Sequence, residues 1–383
     1  MELTTPWQKI VVGSNLVLKL KDELEWLGIS KPLIVCSPRA RASDFVAEIK
    51  ELVGIPTEHI FDNVLQHSNT SIVDEGAKMA VTLKIDGLIA VGGASASDTA
   101  KGIAIVMAEG GSIEDHASTF IPPRTYIPNN LKKPKIPLIT FPTTASAGEI
   151  TPGAGITNSE NTKLLFWDPK IASRAVFYDI NQWLNIPDQI LNTSLMNAIA
   201  HNIEGMYSQS TQPISQAIAL ESMATIDHVV KTGLKLSPDF EKLPMAVAMS
   251  GMVISNARVG IHHAICHCIG SISRSSHGEA NSVMLPHALK FNKLDAMKQM
   301  AKIEEHISKN ITLSEEELAE NLIKRISDLQ DQLQVSKTLK EIGVTEGQIE
   351  KIALKSLSDR GLYFNPREVT DIEEIKGLLI QAF

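Results

Sequence analysis

The sequence predicts two parts: an α/β domain with a doubly wound parallel sheet over 1–185, then an all-helical domain over 186–383. Short β-branched runs closed by Gly, Pro or Asp recur through the first half, alternating with stretches at helical spacing. After about Ile186 the strand-like runs stop. Long segments rich in Ala, Met, Leu, Lys and Glu replace them.

Taken in order, Ile10-Val11-Val12 ends at Gly13, and Leu33-Ile34-Val35 ends in the turn-like Ser37-Pro38-Arg39. Leu88-Ile89-Ala90-Val91 ends at Gly92-Gly93, Leu138-Ile139-Thr140-Phe141 at Pro142, and Ala175-Val176-Phe177-Tyr178 at Asp179. Such runs suit parallel strands, whose two faces are both covered by helices. Val73, Ala77, Met79, Ala80 and Val81 recur at helical spacing, with Ser71 as the expected N-cap. The Pro- and Lys-containing stretch 120–136 reads as a surface loop. In the second half, 214–234, 241–270, 280–309, 314–334 and 336–359 read as helices. Ser314-Glu315-Glu316-Glu317 opens one of them with a hydroxyl cap and acids where the helix dipole favours them.

Composition excludes several classes. With 43% hydrophobic residues the chain can bury a core and is not disordered. A net charge of −8 argues against nucleic acid, which demands a basic face. No uninterrupted apolar run approaches the roughly 18 residues of a membrane span. Met1-Glu2-Leu3-Thr4-Thr5-Pro6 lacks the basic end and apolar stretch of a signal peptide. Three cysteines, Cys36, Cys266 and Cys268, are too few to staple this chain, so a cytoplasmic protein is expected.

Three clusters can carry chemistry. Gly92-Gly93-Ala94-Ser95-Ala96-Ser97-Asp98-Thr99-Ala100-Lys101 follows a strand and opens a helix. Glycines there let backbone approach a ligand, and the helix N-terminus favours a phosphate; the spacing also suits an ordinary strand-to-helix turn. Pro142-Thr143-Thr144-Ala145-Ser146-Ala147-Gly148-Glu149-Ile150-Thr151 sets hydroxyls at another strand's carboxyl end, where open α/β sheets bind ligands. The third cluster is histidine. Asn197 and His201 are four apart on a helix, as are His263 and His267, with His262 beside them and His277 beyond a Ser-rich turn. Imidazole suits zinc or ferrous iron. Cys266 and Cys268 lie off that face and read as small buried residues.

In this order the clusters resemble the iron-containing (group III) alcohol dehydrogenase superfamily. The resemblance runs from Gly13 to Asn365-Pro366-Arg367-Glu368-Val369-Thr370. It implies a Rossmann-like domain plus a helical domain, an architecture shared with dehydroquinate synthase-like proteins. It implies that Gly92, Gly93, Ser95 and Asp98 hold a cofactor pyrophosphate, with Thr143, Thr144 and Lys163 nearer the ribose and nicotinamide. Lys163 is expected after the hairpin that follows the Pro-Thr-Thr loop. The resemblance also implies a divalent metal, Fe2+ or Zn2+, in a cleft between the domains, on Asn197, His201, His263 and His277. His267 matches a further histidine near the substrate, and a homo-oligomer such as a dimer is expected.

Asn197 departs from the family's usual Asp. Its amide oxygen adds no negative charge, so with three neutral imidazoles the metal keeps its full charge and binds more weakly. The Pro-Thr-Thr loop is also one residue shorter than is typical. Met196-Asn197-Ala198-Ile199-Ala200-His201 and Gly260-Ile261-His262-His263-Ala264-Ile265-Cys266-His267 are similar to the maleylacetate reductase branch, regarded as working without an obligatory metal. Asp168-Pro169-Lys170 and Ser37-Pro38-Arg39 lean the same way, whereas Asp98 and the Ser95–Lys101 helix start resemble the alcohol dehydrogenases.

The expected activity is NAD(P)H-dependent reduction of a small aldehyde, semialdehyde or oxo acid. The developing alkoxide needs a positive partner, either a metal or an imidazolium from His263, His267 or His277. His267 is the expected proton relay and His262 the expected bystander. NAD-specific sheets place an acid after the second strand. Here Ser37 stands there with Arg39 and Arg41 beyond, which favours NADPH over NADH. Arg274 is expected either to grip a substrate carboxylate or to be an exposed loop residue. Two rival classes stand beside this reading: an NAD-using lyase like dehydroquinate synthase, and a silent binding protein with Asn197 as its scar.

Overall fold

Leu33-Ile34-Val35 and Leu88-Ile89-Ala90-Val91 are apolar at every position, so neither face of either run can be left in water. The computed structural model describes residues 8–383 apart from 67, 122–124, 130 and 161. The chain start Met1–Pro6, read above as lacking a signal peptide, lies outside the described residues.

The first half runs β1 (Lys9–Gly13), α1 (Leu20–Trp26), β2 (Pro32–Cys36), α2 (Pro38–Arg41), α3 (Asp44–Val53), β3 (Ile60–Phe61) and α4 (Thr70–Leu83). It continues with β4 (Gly87–Gly92), α5 (Ala94–Glu109), β5 (Thr119–Ile121), β6 (Thr125–Ile127), β7 (Leu138–Pro142), β8 (Gly153–Thr157), β9 (Lys163–Trp167), β10 (Ala175–Asp179) and α6 (Ile180–Leu184). Six strands pair in the order β1-β10-β7-β4-β2-β3, each neighbouring pair parallel. Alternate residues then serve opposite faces. Ile34, Ile89 and Phe141 pack with Leu24, Phe45 and Ile49 of α1 and α3. Leu33, Leu88 and Ala90 pack with Ala77, Ala80 and Ile103 of α4 and α5. The sheet is therefore wound on both sides. Parallel strands bring Cys36, Gly92 and Pro142 to one end, with Cys36 opposite Val91 and Gly92 opposite Pro142.

The second half is helical: α7 (Asp188–Tyr207), α8 (Pro213–Lys231), α9 (Leu243–Ala257), α10 (Ile261–Ser273), α11 (His277–Ser308), α12 (Glu315–Gln332), α13 (Ile349–Ser356) and α14 (Ile372–Ala382). The described residues of Pro187–Phe383 and Phe120–Tyr126 form one compact unit, and those of Glu2–Thr119 and Ile127–Ile186 the other. α7 is buried on every side over its second half. It meets α9 closely at Gly205, where an added Cβ would overlap Val253 Cγ1. No helix among the described residues is long and apolar enough to cross a membrane.

Several local expectations are corrected. The cap of α4 is Asn69, whose side chain accepts from Ile72 N–H, not Ser71. The stretch 241–270 is two helices, because Arg258 takes a φ of +69° and Gly260 starts α10 afresh. Of 336–359 only Ile349–Ser356 is α-helical. Gly343 at φ +83° interrupts the chain, and a Thr345–Gln348 capping box restarts it. The expected surface loop at 120–136 contains strand residues of β5 and β6. Ser314 does cap α12, in a capping box with Glu317.

Gly205→Ala tests the α7–α9 packing. Overfilling that contact is expected to cost about 1–3 kcal/mol, read as a lower denaturation midpoint by circular dichroism. An unchanged midpoint would show that Val253 gives way freely.

Candidate active site

The glycine turn and the Pro-Thr-Thr loop lie together although some fifty residues separate them in sequence. β4 closes at Gly92 with a φ of +149°, and Gly93 stands at the start of α5 with no side-chain cap. Thr143 N–H donates to Gly92 O at 2.9 Å. A Cβ on Gly93 would stand 2.8 Å from Thr144 Cγ2, and one on Gly148 3.2 Å from Ala94 Cβ. Only bare backbone allows this approach. The start of a 16-residue helix beside two threonines suits a phosphate. Ser95 Oγ donates to Gln66 O at 2.9 Å, so its hydroxyl proton ties the turn to a neighbouring loop.

Beneath this surface sits a buried charge network. Lys101 is fully buried and its ammonium donates to Gly148 O, Thr151 O and Gly153 O at 2.6, 2.8 and 2.8 Å. Three protons meet three carbonyls. Burial still presses the group down to about 8, against the pull of Asp98 and Glu149. Tyr178 OH donates to Glu149 Oε1 at 2.6 Å. Asp98, half-buried, accepts from Gly155 N–H at 3.1 Å. Lys163 is the first residue of β9, within the hairpin rather than after it.

At the end of β2, Ser37 caps α2, accepting from Ala40 N–H at 3.2 Å. Arg39 is exposed. Arg41 pairs with Asp62 at 3.9 Å. Asp62 follows the two-residue β3, which pairs with β2, so an acid does stand near this end of the sheet. The sequence reading missed it because so short a strand leaves no pattern.

The imidazoles converge within the helical unit. α7 presents Asn197, His201 and Glu204, and α10 presents His263 and His267. α11 begins at His277, behind a Ser276–Glu279 capping box. The His263 ring lies 4.9 Å from that of His201 and 5.7 Å from that of His277; the His267 and His277 rings stack at 5.6 Å. Asn197, His201 and His263 are buried, whereas His267 and His277 are half-buried, so the group has a dry floor and a wetter rim. Arg274 ends α10 in a left-handed conformation with an exposed side chain. Cys266 and Cys268 are buried thiols, as expected.

The residue that orders this cluster is Glu204, which the sequence reading missed. α10 starts without a side-chain cap of its own. Glu204 Oε1 accepts from Gly260 N–H and His262 N–H at 2.9 and 3.1 Å, and Asn365 Oδ1 from Ile261 N–H at 3.2 Å. The other carboxylate oxygen accepts from His263 Nδ1. Burial opposes the carboxylate's charge, yet His263 and His262 hold Glu204 well below the usual range. His262 Nε2 donates to Asn281 O at 3.1 Å. Glu204, His262 and His263 group closely enough to suggest a metal, but these donors already occupy the carboxylate. Asp359, also absent from the sequence reading, accepts from His267 Nδ1 at 2.9 Å and from Gly361 N–H at 2.7 Å.

The opposite edge of His263 differs. With Nδ1 donating to Glu204 and burial lowering the ring's pKa to about 4, Nε2 carries a lone pair. Asn197 Oδ1 stands 3.1 Å from it. Two lone pairs at that distance call for a cation between them, or for the amide to turn its N–H inward. Ligand atoms sharing one metal ion stand about 3–3.5 Å apart. Asn197 Oδ1 and His263 Nε2 stand at that separation, whereas ring contacts alone place His201 and His277 beside them; the four donors together carry no charge.

A sequence profile of the iron-containing alcohol dehydrogenases matches residues 7–180. The C-terminal profile of the Fe-containing alcohol dehydrogenase family matches 192–383. The chain belongs to the iron-containing alcohol dehydrogenase family. It is 29% identical to the NAD-dependent methanol dehydrogenase of Bacillus methanolicus over 97% of both chains. It is 27% identical to the maleylacetate reductase of Pseudomonas sp. strain P51, over 98% of this chain and 95% of that one. A crystal structure of 1,3-propanediol oxidoreductase superposes with a TM-score of 0.88 at 26% identity, covering all of both chains. As a member of this family the protein is an oxidoreductase of the alcohol dehydrogenase type.

Glu204→Gln tests the carboxylate's role. The folded carboxyl titrates below its ordinary 4.5, so the unfolded chain takes up that proton first as pH falls. Its stabilisation is complete above that value and is lost below it. The variant is expected to lose about 3 kcal/mol at neutral pH. That deficit should narrow as pH falls from about 5 to about 3. A deficit independent of pH, followed by urea unfolding, would contradict the assignment.

Proposed function

We propose that this protein is an NAD(P)H-dependent carbonyl reductase, working reversibly as an alcohol dehydrogenase on a small aldehyde, semialdehyde or oxo acid. One observation carries the reading: Asn197, His201, His263, His267 and His277 gather at one point of the helical unit. The glycine turn and Pro-Thr-Thr loop, with Lys163, would hold the nucleotide, which would supply hydride to the carbonyl carbon. The carbonyl oxygen would then need a proton.

Asn197, His201, His263 and His277 would hold a divalent metal, Fe2+ or Zn2+, which polarises a carbonyl oxygen as a Lewis acid. His267 delivers the proton. Asp359 fixes its Nδ1 edge, which leaves Nε2 as the working atom. His262 holds backbone instead. The amide at 197 favours a second reading, a reductase on the maleylacetate reductase pattern that manages without an obligatory metal. Arg39 is exposed and free to meet a 2′-phosphate, while Asp62 restrains Arg41. We therefore expect both NADPH and NADH to serve. A cytoplasmic homo-oligomer, such as a dimer, completes the reading.

The primary test follows NADPH and NADH oxidation over aldehydes, semialdehydes and oxo acids, with metal analysis and with and without chelator. Reduced nucleotide should be consumed with at least one carbonyl class; no consumption with any of them would end the proposal. Arg39→Ala should raise KM for NADPH about tenfold and leave NADH unchanged. Asn197→Asp should tighten metal binding about tenfold or more, measured by competition with a chromogenic chelator. Equal affinity in both proteins would remove Asn197 from the donor set.

A further inference from the structure

Gly155 lies where the hairpin crosses Asp98. In the β8–β9 ladder Gly155 faces Leu165 and Thr157 faces Lys163. Side chains two apart on a strand share a face, so Lys163 is the diagonal neighbour of Gly155. Its stem fills the space that a side chain on Gly155 would take. An added Cβ would overlap Lys163 Cε and stand 3.0 Å from Nζ, and the three nearest atoms to it all belong to Lys163. The backbone of Gly155 is not in the left-handed region, so its conformation does not require glycine. The space above it does.

The same residue anchors the carboxylate that Lys163 approaches. Gly155 N–H donates to Asp98 Oδ2 at 3.1 Å, and the Lys163 charge acts on that half-buried carboxylate. Lys163 itself is half-buried at the start of β9, with a stem that has no reason to lie flat unless the strand beneath is bare.

We propose that Gly155 is a positioning residue for nucleotide binding: its missing side chain is the trough through which Lys163 crosses β8 toward Asp98, holding the ammonium where the cofactor meets it. This rests on the reading of Lys163 as a nucleotide contact. A side chain at 155 would lift the lysine stem and swing its charge away, while leaving the rest of the hairpin in place.

The experiment compares Gly155→Ala, Lys163→Met and the double variant, using NADPH dissociation constants from nucleotide fluorescence with KM, kcat and melting temperature. Gly155→Ala and Lys163→Met should each weaken NADPH about tenfold, and the double variant should be no weaker than either. KM for the carbonyl substrate should not move. If Gly155→Ala binds NADPH like the wild type while Lys163→Met is weakened, the positioning role is wrong and the lysine contact stands. Should Lys163→Met bind like the wild type, the underlying reading fails and the proposal with it. Multiplied effects in the double variant also overturn it. If Gly155→Ala melts early, recovery in the double variant places the clash on Lys163 and supports the proposal, whereas no recovery refutes it.

Discussion

A single buried carboxylate sets the helical unit in order. α10 begins at a glycine, so its first N–H groups have no local side chain to answer them. Glu204 reaches across from α7 and takes two of them, and Asn365 takes the third. A negative charge at that position also meets the positive end of the helix dipole. The second oxygen of the same carboxylate binds His263 Nδ1. The start of the helix and the orientation of its key imidazole are thus fixed by one group. Everything the cluster can do chemically follows from which edge of His263 is left facing Asn197.

The α/β unit solves a related problem with a cation. The loop between β7 and β8 turns two carbonyls inward and the first residue of β8 a third, and the ammonium of Lys101 satisfies them from α5. This pins the loop that carries Thr144 against the glycine turn, where Gly93 leaves room for it. In both units a charged side chain, rather than an apolar contact, determines where a backbone segment of the candidate site lies. Such groups are costly to bury unpaired. Each here is surrounded by hydrogen-bond partners.

Legibility in the sequence followed the physics of each element. β2, β4, β7 and β10 were readable because both faces are covered, which demands unbroken apolar runs. β3 has two residues and carries no pattern, so Asp62 beside β2 stayed hidden. The break at Arg258 was illegible because a non-glycine residue rarely adopts a positive φ, and only the chain on either side forces it. The histidines and Asn197 were visible through their fourfold spacing. Glu204 was not: a glutamate three residues after His201 looks like an ordinary solvated helix residue until α10 is docked over it. Asp359 was invisible for the same reason, being far along the chain from His267.

The most direct measurement is the nitrogen-15 spectrum of the histidine rings, with His263 assigned by substitution. The account predicts that at neutral pH this ring carries its proton on Nδ1, shared with the Glu204 carboxylate, and keeps a lone pair on Nε2 toward Asn197. A proton resting on Nε2, with Nδ1 bare against the carboxylate, would contradict it.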